Sequence, residues 1–130
     1  MSASQDLADR IPYARFLGLR VERDRNGLVC VLPFRTQIVG NARLPAVHGG
    51  VVGAFLELTA LLGLLDQSDG SGIPKPINFS VDYLRSARAT DTFARAGIVK
   101  LGRRIANVRV FAYQEDPDKP VAAGIGNFRL

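Results

Sequence analysis

The stretch HGGVVGAFLELTALLGLLD, residues 48–66, contains the longest apolar run of the chain. Every residue from Val51 to Leu65 is apolar or glycine, except Glu57 and Thr59. A run of this length predicts one long helix, and apolar side chains on all of its sides predict that it is buried. Glu57 near its middle therefore needs an explanation, because burying a lone carboxylate costs several kcal/mol unless a partner offsets it.

Length and composition predict one globular domain spanning residues 1–130, with 47% hydrophobic and 22% charged residues. The apolar run is shorter than the roughly 20 residues of a membrane span, and Glu57 interrupts it, so we expect no membrane partner. The first twenty residues carry scattered charges and no apolar block, which argues against a secretory signal. Cys30 is the only cysteine, which excludes an internal disulfide, and we expect a cytoplasmic protein.

The net charge of +5, from 17 Lys+Arg against 12 Asp+Glu, favours a negatively charged partner. The arginines are scattered, and neither zinc-finger spacing nor an aromatic RNA-binding signature occurs, so we do not expect nucleic acid. A small molecule that carries phosphate groups fits the charge.

The rest of the chain predicts one antiparallel sheet. Residues 6–17 predict a helical opening that Pro12 limits or bends, and Asn26-Gly27 predicts the turn of a hairpin. Residues 35–47 are typical of a loop. After the long helix, period-two patterns and short turns predict antiparallel strands at 77–84, 92–101, 104–114 and 121–128. The predicted fold class is α+β, with the sheet curled around one helix. Such a sheet covers one side of the helix, so we expect a second copy of the chain to cover the rest.

Three segments resemble hotdog-fold acyl-CoA thioesterases of the PaaI-like group, which are related to phenylacetyl-CoA and 4-hydroxybenzoyl-CoA thioesterases. They are HGGVVGAFLE at 48–57, VDYLRSA at 81–87 and VKLGRR at 99–104. The resemblance covers roughly residues 15–130. It implies a curved antiparallel sheet around a central helix, a homodimer or homotetramer, and hydrolysis of an acyl-CoA thioester without metal or cofactor. It also implies that Glu57 is the general base or nucleophile and that the amide of Gly49 polarises the thioester carbonyl.

The chemistry of the residues supports the same two roles. A helix start exposes N–H groups and a positive dipole end, and glycine lets a carbonyl approach the backbone, so Gly49 and Gly50 are candidates for an oxyanion hole. The alternative is that both glycines only permit a tight turn into the helix. For Glu57, the alternative is pairing with an arginine or exposure to water.

The spacing of the two groups adds a condition. Glu57 lies eight residues beyond Gly49, which is about 12 Å along one helix. A carbonyl held about 3 Å from the Gly49 amide is then out of reach of the same chain's Glu57. If both groups act on one thioester, they must come from different chains.

Further residues are candidates for substrate binding. His48 is the only histidine, which excludes a multi-histidine metal site, and it is expected to shape the turn and the pocket. Arginine binds phosphate well, and Arg103 and Arg104 match a region that lies near the nucleotide phosphates in relatives. Arg85 follows the preceding strand. The alternative for each arginine is a solvated turn.

The chain departs from the family pattern at three helper positions, which are Ala42, Leu61 and Pro76. Asn41 is a candidate to replace the amide that relatives carry at the position of Ala42. Asn78 is a candidate to replace the hydroxyl residue that positions water in some relatives. The predicted substrate is a small or aryl acyl-CoA, and the alternative function is non-catalytic binding of acyl-CoA or acyl-carrier protein.

Overall fold

The computed structural model describes residues 3–41, 43, 45–67 and 72–130, and their side chains except those of Ala3, Ser4 and Asn41. The quoted stretch forms one helix, α3 (Gly49–Gln67). It is preceded by two short helices, α1 (Ala3–Arg10) and α2 (Pro12–Leu17). The strands of the main sheet are β1 (Arg20–Asp24), β2 (Gly27–Leu32), β5 (Lys75–Tyr83), β6 (Thr92–Leu101), β7 (Ile105–Tyr113) and β8 (Ala122–Arg129). A separate ribbon consists of β3 (Val39–Asn41) and β4 (Ala46–Val47).

The main sheet has the order β1-β2-β6-β7-β8-β5, and every neighbouring pair is antiparallel. It curves around α3, as the sequence predicts. In β7 the inner face consists of Ala106, Val108, Val110 and Ala112, whose small side chains let the helix come close. A Cβ at Gly63 would lie only 2.7 Å from the Cβ of Ala96 on β6. Glycine at position 63 therefore sets how closely the helix packs on the sheet.

The sheet covers one side of α3. Phe55, Leu56, Leu62 and Leu64 are fully buried in the protomer. The other side carries a half-buried stripe at helical spacing, which consists of Ala54, Glu57, Leu58 and Leu61. The expectation that one sheet leaves part of an apolar helix uncovered is confirmed for the protomer.

The N-terminal segment differs from the single helical opening expected at 6–17. Pro12 is the first residue of α2, where its missing N–H is tolerated. The extended residue Ile11 separates α1 from α2. Gly18 ends α2 with a φ of 68°, which glycine adopts without strain. Leu7 and Ala8 of α1 are buried in the core, so α1 covers part of α3.

The segment predicted as a loop, 35–47, contains more structure than the sequence indicates. It has a 3-10 helix at Thr36–Ile38 and the β3-β4 ribbon. The ribbon brings Gly40 against the helix start, where a Cβ at Gly40 would lie 2.9 Å from the Cα of His48. The proline and glycine content of the segment hid this packing, because it depends on contacts made outside the segment.

By length and hydropathy alone, α3 could cross a membrane, but half of it is buried inside the protein. Core helices of globular proteins meet the same criterion. Its composition is accounted for by the sheet that packs against it.

Cys30 lies on the inner face of β2 and is fully buried. Burial raises the pKa of the Cys30 thiol to about 12, so the thiolate is scarce at neutral pH. We expect a thiol reagent such as DTNB to leave the native protein unlabelled and to react with one thiol after denaturation. Stoichiometric labelling of the native protein at neutral pH would contradict this burial.

Candidate active site

The first turn of α3 is fixed by the residue before it, His48. The carbonyl of His48 accepts hydrogen bonds from the amides of Val51 and Val52, at 3.0 and 3.1 Å. Its Nδ1 accepts the amide of Gly50 at 2.9 Å. The amide of His48 in turn donates to the carbonyl of Ile38 at 2.7 Å. His48 therefore acts as the N-terminal cap of α3 and satisfies three of its first four amides.

The remaining amide of these four is that of Gly49, the first residue of α3. Among the residues that the structure describes, it has no hydrogen-bond acceptor. It lies at the positive end of the helix dipole, where negative charge is stabilised. Gly50 differs, because its amide is occupied by His48 and a Cβ at position 50 would lie 3.1 Å from the imidazole ring. Of the two glycines considered for an oxyanion hole, Gly49 is the one whose amide is available to donate a hydrogen bond to a ligand.

Gly49 lines a cleft of about 360 Å³. Its apolar walls include Val47, Val52 and Val121, and Arg85 lies at its rim. The Arg85 guanidinium donates to the carbonyl of Pro120 at 2.7 Å, which holds the side chain there. The cleft therefore joins an apolar wall, an open amide and a fixed cation.

A second cleft, of about 550 Å³, shares Arg85 and Val121 with the first. It adds the cations Arg88 and Lys119, together with the acids Glu115 and Asp116. The two clefts adjoin at these shared residues and form a groove, with Gly49 in the first cleft and most of the charged side chains in the second.

Glu57 is half-buried on the uncovered stripe of α3. Among the described residues, its carboxylate has no hydrogen bond or ion pair with another side chain. It is not one of the residues that line the cleft beside Gly49. The single helix keeps the two groups about 12 Å apart along its axis. Glu57 is therefore an unpaired carboxylate on a surface that a second chain could cover.

Asn78 lies on the outer face of β5, turned away from α3. Its Oδ1 accepts hydrogen bonds from the amide and the side chain of Asn127, both at 3.2 Å. Asn127 in turn accepts the side chain of Asn107 at 2.9 Å. Within one protomer, Asn78 belongs to this row of asparagines, and its role in binding substrate stays a prediction. The side chain of Asn41 lies outside the described residues, as does Ala42.

Arg103 and Arg104 are exposed in the turn between β6 and β7. They line a separate cleft of about 540 Å³ with Lys100, Asn107 and Asn127. This turn precedes β7, whereas Val121, at the cleft of Gly49, bonds to Ala112 near the far end of β7. The nine residues of β7 span about 30 Å. The protomer thus brings together Gly49, Gly50, His48 and Arg85, and it holds Glu57, Asn78, Arg103 and Arg104 apart from them.

Tyr83 lies in the VDYLRSA segment that carries the family resemblance, but the sequence did not predict it as a site residue. Its hydroxyl donates to the carbonyl of Gly49 at 2.8 Å. A signal was available, because Gly49 and Gly53 are four residues apart on one helix and therefore leave one of its faces without side chains. Glycines at that spacing indicate that another group comes close to this face.

No group of three or more His, Cys, Asp or Glu side chains that could hold a metal ion occurs in the described part of the chain.

Comparison with known proteins identifies the class. The model of the thioesterase superfamily matches residues 44–121, and the chain belongs to this superfamily. The predicted thioesterase and the predicted hotdog fold are thereby confirmed at the level of the family and of the architecture.

Individual relatives agree with this assignment. The chain is 29% identical to the medium/long-chain acyl-CoA thioesterase YigI of Salmonella typhimurium, over 82% of this chain and 77% of that protein. A solved Chromobacterium violaceum protein is 36% identical, with a TM-score of 0.77 over 100% of this chain and 97% of that one. A Bacillus halodurans protein solved with CoA shares the fold, at 21% identity and a TM-score of 0.82 over 96% of this chain and 85% of that one.

Proposed function

We propose that the protein hydrolyses acyl-CoA thioesters to the free acid and CoA. The observation that carries this proposal is the amide of Gly49, the open donor of the first turn of α3, which lines a cleft in a chain of the thioesterase superfamily. The CoA moiety is supported by the acyl-CoA thioesterase YigI and by the fold relative solved with CoA. Reduced Cys30 and a CoA substrate fit a cytoplasmic enzyme.

The proposed reaction begins with the thioester carbonyl oxygen on the Gly49 amide. In one route, Glu57 removes a proton from a water molecule, and the oxygen of this water attacks the carbonyl carbon. In the other route, the carboxylate of Glu57 attacks the carbonyl carbon directly and gives an anhydride, which water then cleaves. In either route the amide stabilises the negative charge on the tetrahedral oxygen. The C–S bond breaks, the CoA thiolate leaves and takes up a proton, and the carboxylic acid is released.

Two protomers are needed for this chemistry. Gly49 and Glu57 of one helix are about 12 Å apart, whereas the attacking group and the oxyanion donor must both lie about 3 Å from the reacting atoms. The site we propose therefore combines Gly49 of one protomer with Glu57 of the other.

The sheet edges support an arrangement that supplies the second protomer. The β1 edge is short and charged, carrying Arg20, Glu22, Arg23 and Asp24, which protects an edge from pairing. The β5 edge has nine residues, and at and just beyond it Ile77, Tyr83 and Leu84 are exposed. A two-fold axis pairs two copies of such an edge antiparallel, so we propose that β5 pairs with its counterpart in a dimer.

This pairing also accounts for the distant arginines. Antiparallel edges bring the Lys75 end of one β5 beside the Tyr83 end of the other. In the strand register, Arg129 on β8 is paired with Lys75 on one side and with Ile105 on the other. Ile105 directly follows the turn that contains Arg103 and Arg104. The second protomer would thus bring its Arg103 and Arg104 toward the groove of Gly49, where the phosphates of CoA could bind them.

The outer face of the sheet supports a further assembly into a homotetramer. Phe111 and Ile125 are exposed there, and both Asp82 and Arg109 lack an ion-pair partner among the described residues. In the strand register, Arg109 on β7 is paired with Ile125 on β8, and Asp82 on β5 is paired with Ala123, two residues earlier on β8. Two such faces related by a two-fold axis can pair each Asp82 with the other copy's Arg109.

Placing a charge on the β5 edge should separate the protomers. Ile77 is exposed in the protomer, so Ile77→Lys should leave the fold intact while burying an unpaired charge between two paired edges. We expect analytical ultracentrifugation to show loss of the dimer, with loss of hydrolysis at the same protein concentrations. The exposed Val99 on β6 supplies a control, Val99→Lys, which should keep the dimer and its activity. A monomeric Ile77→Lys variant with full activity would contradict the two-chain site.

A panel of acyl-CoA esters with a free-thiol readout tests the proposed activity. The panel spans short, aryl, medium and long acyl groups, because the sequence predicts a small or aryl group and YigI is named for medium and long chains. Buried Cys30 should keep the background of a thiol reagent low. Turnover of at least one ester supports the proposal. Binding of CoA esters without turnover would identify the protein as an acyl-CoA binder, and a matching series on acyl-carrier protein separates the two carriers.

A further inference from the structure

Tyr83 is the last residue of β5, and its side chain is 58% exposed. Its hydroxyl nevertheless faces the protein and donates to the carbonyl of Gly49 at 2.8 Å. The two residues are 34 positions apart in the chain, so this bond ties the edge of the sheet to the first turn of α3.

The helix surface under Tyr83 is formed by two glycines. A Cβ at Gly53 would lie 3.1 Å from the tyrosine oxygen, and one at Gly49 would lie 3.6 Å from the ring. Residues four apart lie on the same face of a helix, so both glycines face the ring. A larger residue at position 53 would crowd the Tyr83 hydroxyl, so glycine there leaves room for the hydroxyl to donate to the carbonyl of Gly49.

We propose that Tyr83 is a positioning residue for the oxyanion donor; the inference rests on the proposed function of Gly49. The helix begins with two glycines, and glycine has the largest backbone conformational freedom of the residue types. His48 caps the turn from the preceding segment through its carbonyl and Nδ1. Among the described residues, the Tyr83 hydroxyl provides the hydrogen bond that reaches this turn from the main sheet.

The expected consequence is kinetic. A donor acts on the transition state in proportion to how well it is held before the reaction. Tyr83 also lines the cleft beside Gly49, but Tyr83→Phe keeps the aromatic ring and removes only the hydroxyl oxygen. Loss of the hydroxyl should therefore lower kcat and leave KM nearly unchanged. Because Tyr83 lies on the edge strand of the proposed dimer, the same bond connects dimer pairing with the orientation of the donor.

The test is Tyr83→Phe, which removes one oxygen. We expect kcat to fall about tenfold, as the loss of one hydrogen bond of ordinary net strength predicts, with KM within about twofold of the parent. Tyr13→Phe is the matched control, because Tyr13 is an exposed tyrosine that stacks on Phe16 and does not line the cleft of Gly49, and it should leave both constants unchanged. An unchanged kcat for Tyr83→Phe, or a loss confined to KM, would overturn the inference.

Gly53→Ala provides an independent second variant. Its added methyl group should displace the hydroxyl and lower kcat in the parent, but it should have little further effect in Tyr83→Phe, where no hydroxyl remains. Additive losses in the double variant would contradict the inference. If the parent hydrolyses acyl-CoA and Glu57→Gln is inactive while both Tyr83→Phe and Gly53→Ala match the parent, the proposed function stands and the role of Tyr83 fails.

Discussion

Replacing Glu57 with glutamine is expected to lower kcat about 10²- to 10⁴-fold, the range that a positioned general base contributes. Glutamine keeps the size and shape of the side chain and removes only its ability to accept a proton or to attack. Glu57 is half-buried and has no ion-pair partner among the described residues, so the loss cannot come from breaking a salt bridge within the protomer. Steady-state hydrolysis of the best ester in the panel measures the effect.

The matched control is Glu22→Gln on the charged β1 edge, where Glu22 pairs with Arg20 on the surface. It should retain the parent rate. Binding of CoA to Glu57→Gln, measured by calorimetry, should stay within about threefold of the parent, because Glu57 acts on the reacting bond rather than on the CoA arm. A Glu57→Gln variant with parent kcat would remove the carboxylate from the mechanism.

The second large effect is expected at Gly49. Gly49→Pro deletes the amide hydrogen and leaves the helix intact, because proline is favoured at the first position of a helix. Gly49→Ala keeps the amide and adds only a methyl group, at an ordinary contact distance of 3.6 Å from the Tyr83 ring. We expect the proline variant to lose about 10²- to 10³-fold in kcat, as for removal of one oxyanion donor, and the alanine variant to lose much less.

The comparison of the two variants distinguishes the role of the Gly49 amide as a hydrogen-bond donor from the role of the missing side chain in letting substrate come close. Circular dichroism should show the same helix content in both, so that a rate difference reports on the missing donor. Equal losses in Gly49→Pro and Gly49→Ala would mean that glycine serves the close approach of substrate and that another group binds the oxyanion.

Much of the fold could be predicted because local patterns agree with it. The run from Val51 to Leu65 has the length and composition of a core helix, and period-two alternation at 104–114 matches the buried alanines and valines of β7. Pro12 was correctly identified as the residue that limits the first helix. The β3-β4 ribbon was not found, because two- and three-residue strands carry no periodicity and depend on packing against His48.

The candidate site was predictable in part. The spacing of Gly49 and Glu57 on one helix follows from sequence, and so does the prediction that, if both groups act on one thioester, they come from different chains. Which glycine has a free amide does not, because it depends on the rotamer of His48 that brings Nδ1 to the amide of Gly50. The hydrogen bond from the Tyr83 hydroxyl to the carbonyl of Gly49 could not be predicted either, since it joins residues that are distant in the chain.

Mixing the two inactive variants tests the two-chain site most directly. Glu57→Gln and Gly49→Pro protomers, carrying different affinity tags, are co-expressed and the mixed dimers are purified beside each parent variant. A mixed dimer contains one site in which Gly49 comes from the first protomer and Glu57 from the second, both intact. A double variant, Gly49→Pro with Glu57→Gln, paired with either single variant serves as the control that contains no intact site.

If the site lies between chains, an unfractionated equal mixture should recover about one quarter of the parent activity, because half of the dimers are mixed and each has one intact site of two. The purified mixed dimer should recover about half. Activity no higher than that of the single variants, in a mixture shown to contain mixed dimers, would contradict a site shared by two protomers.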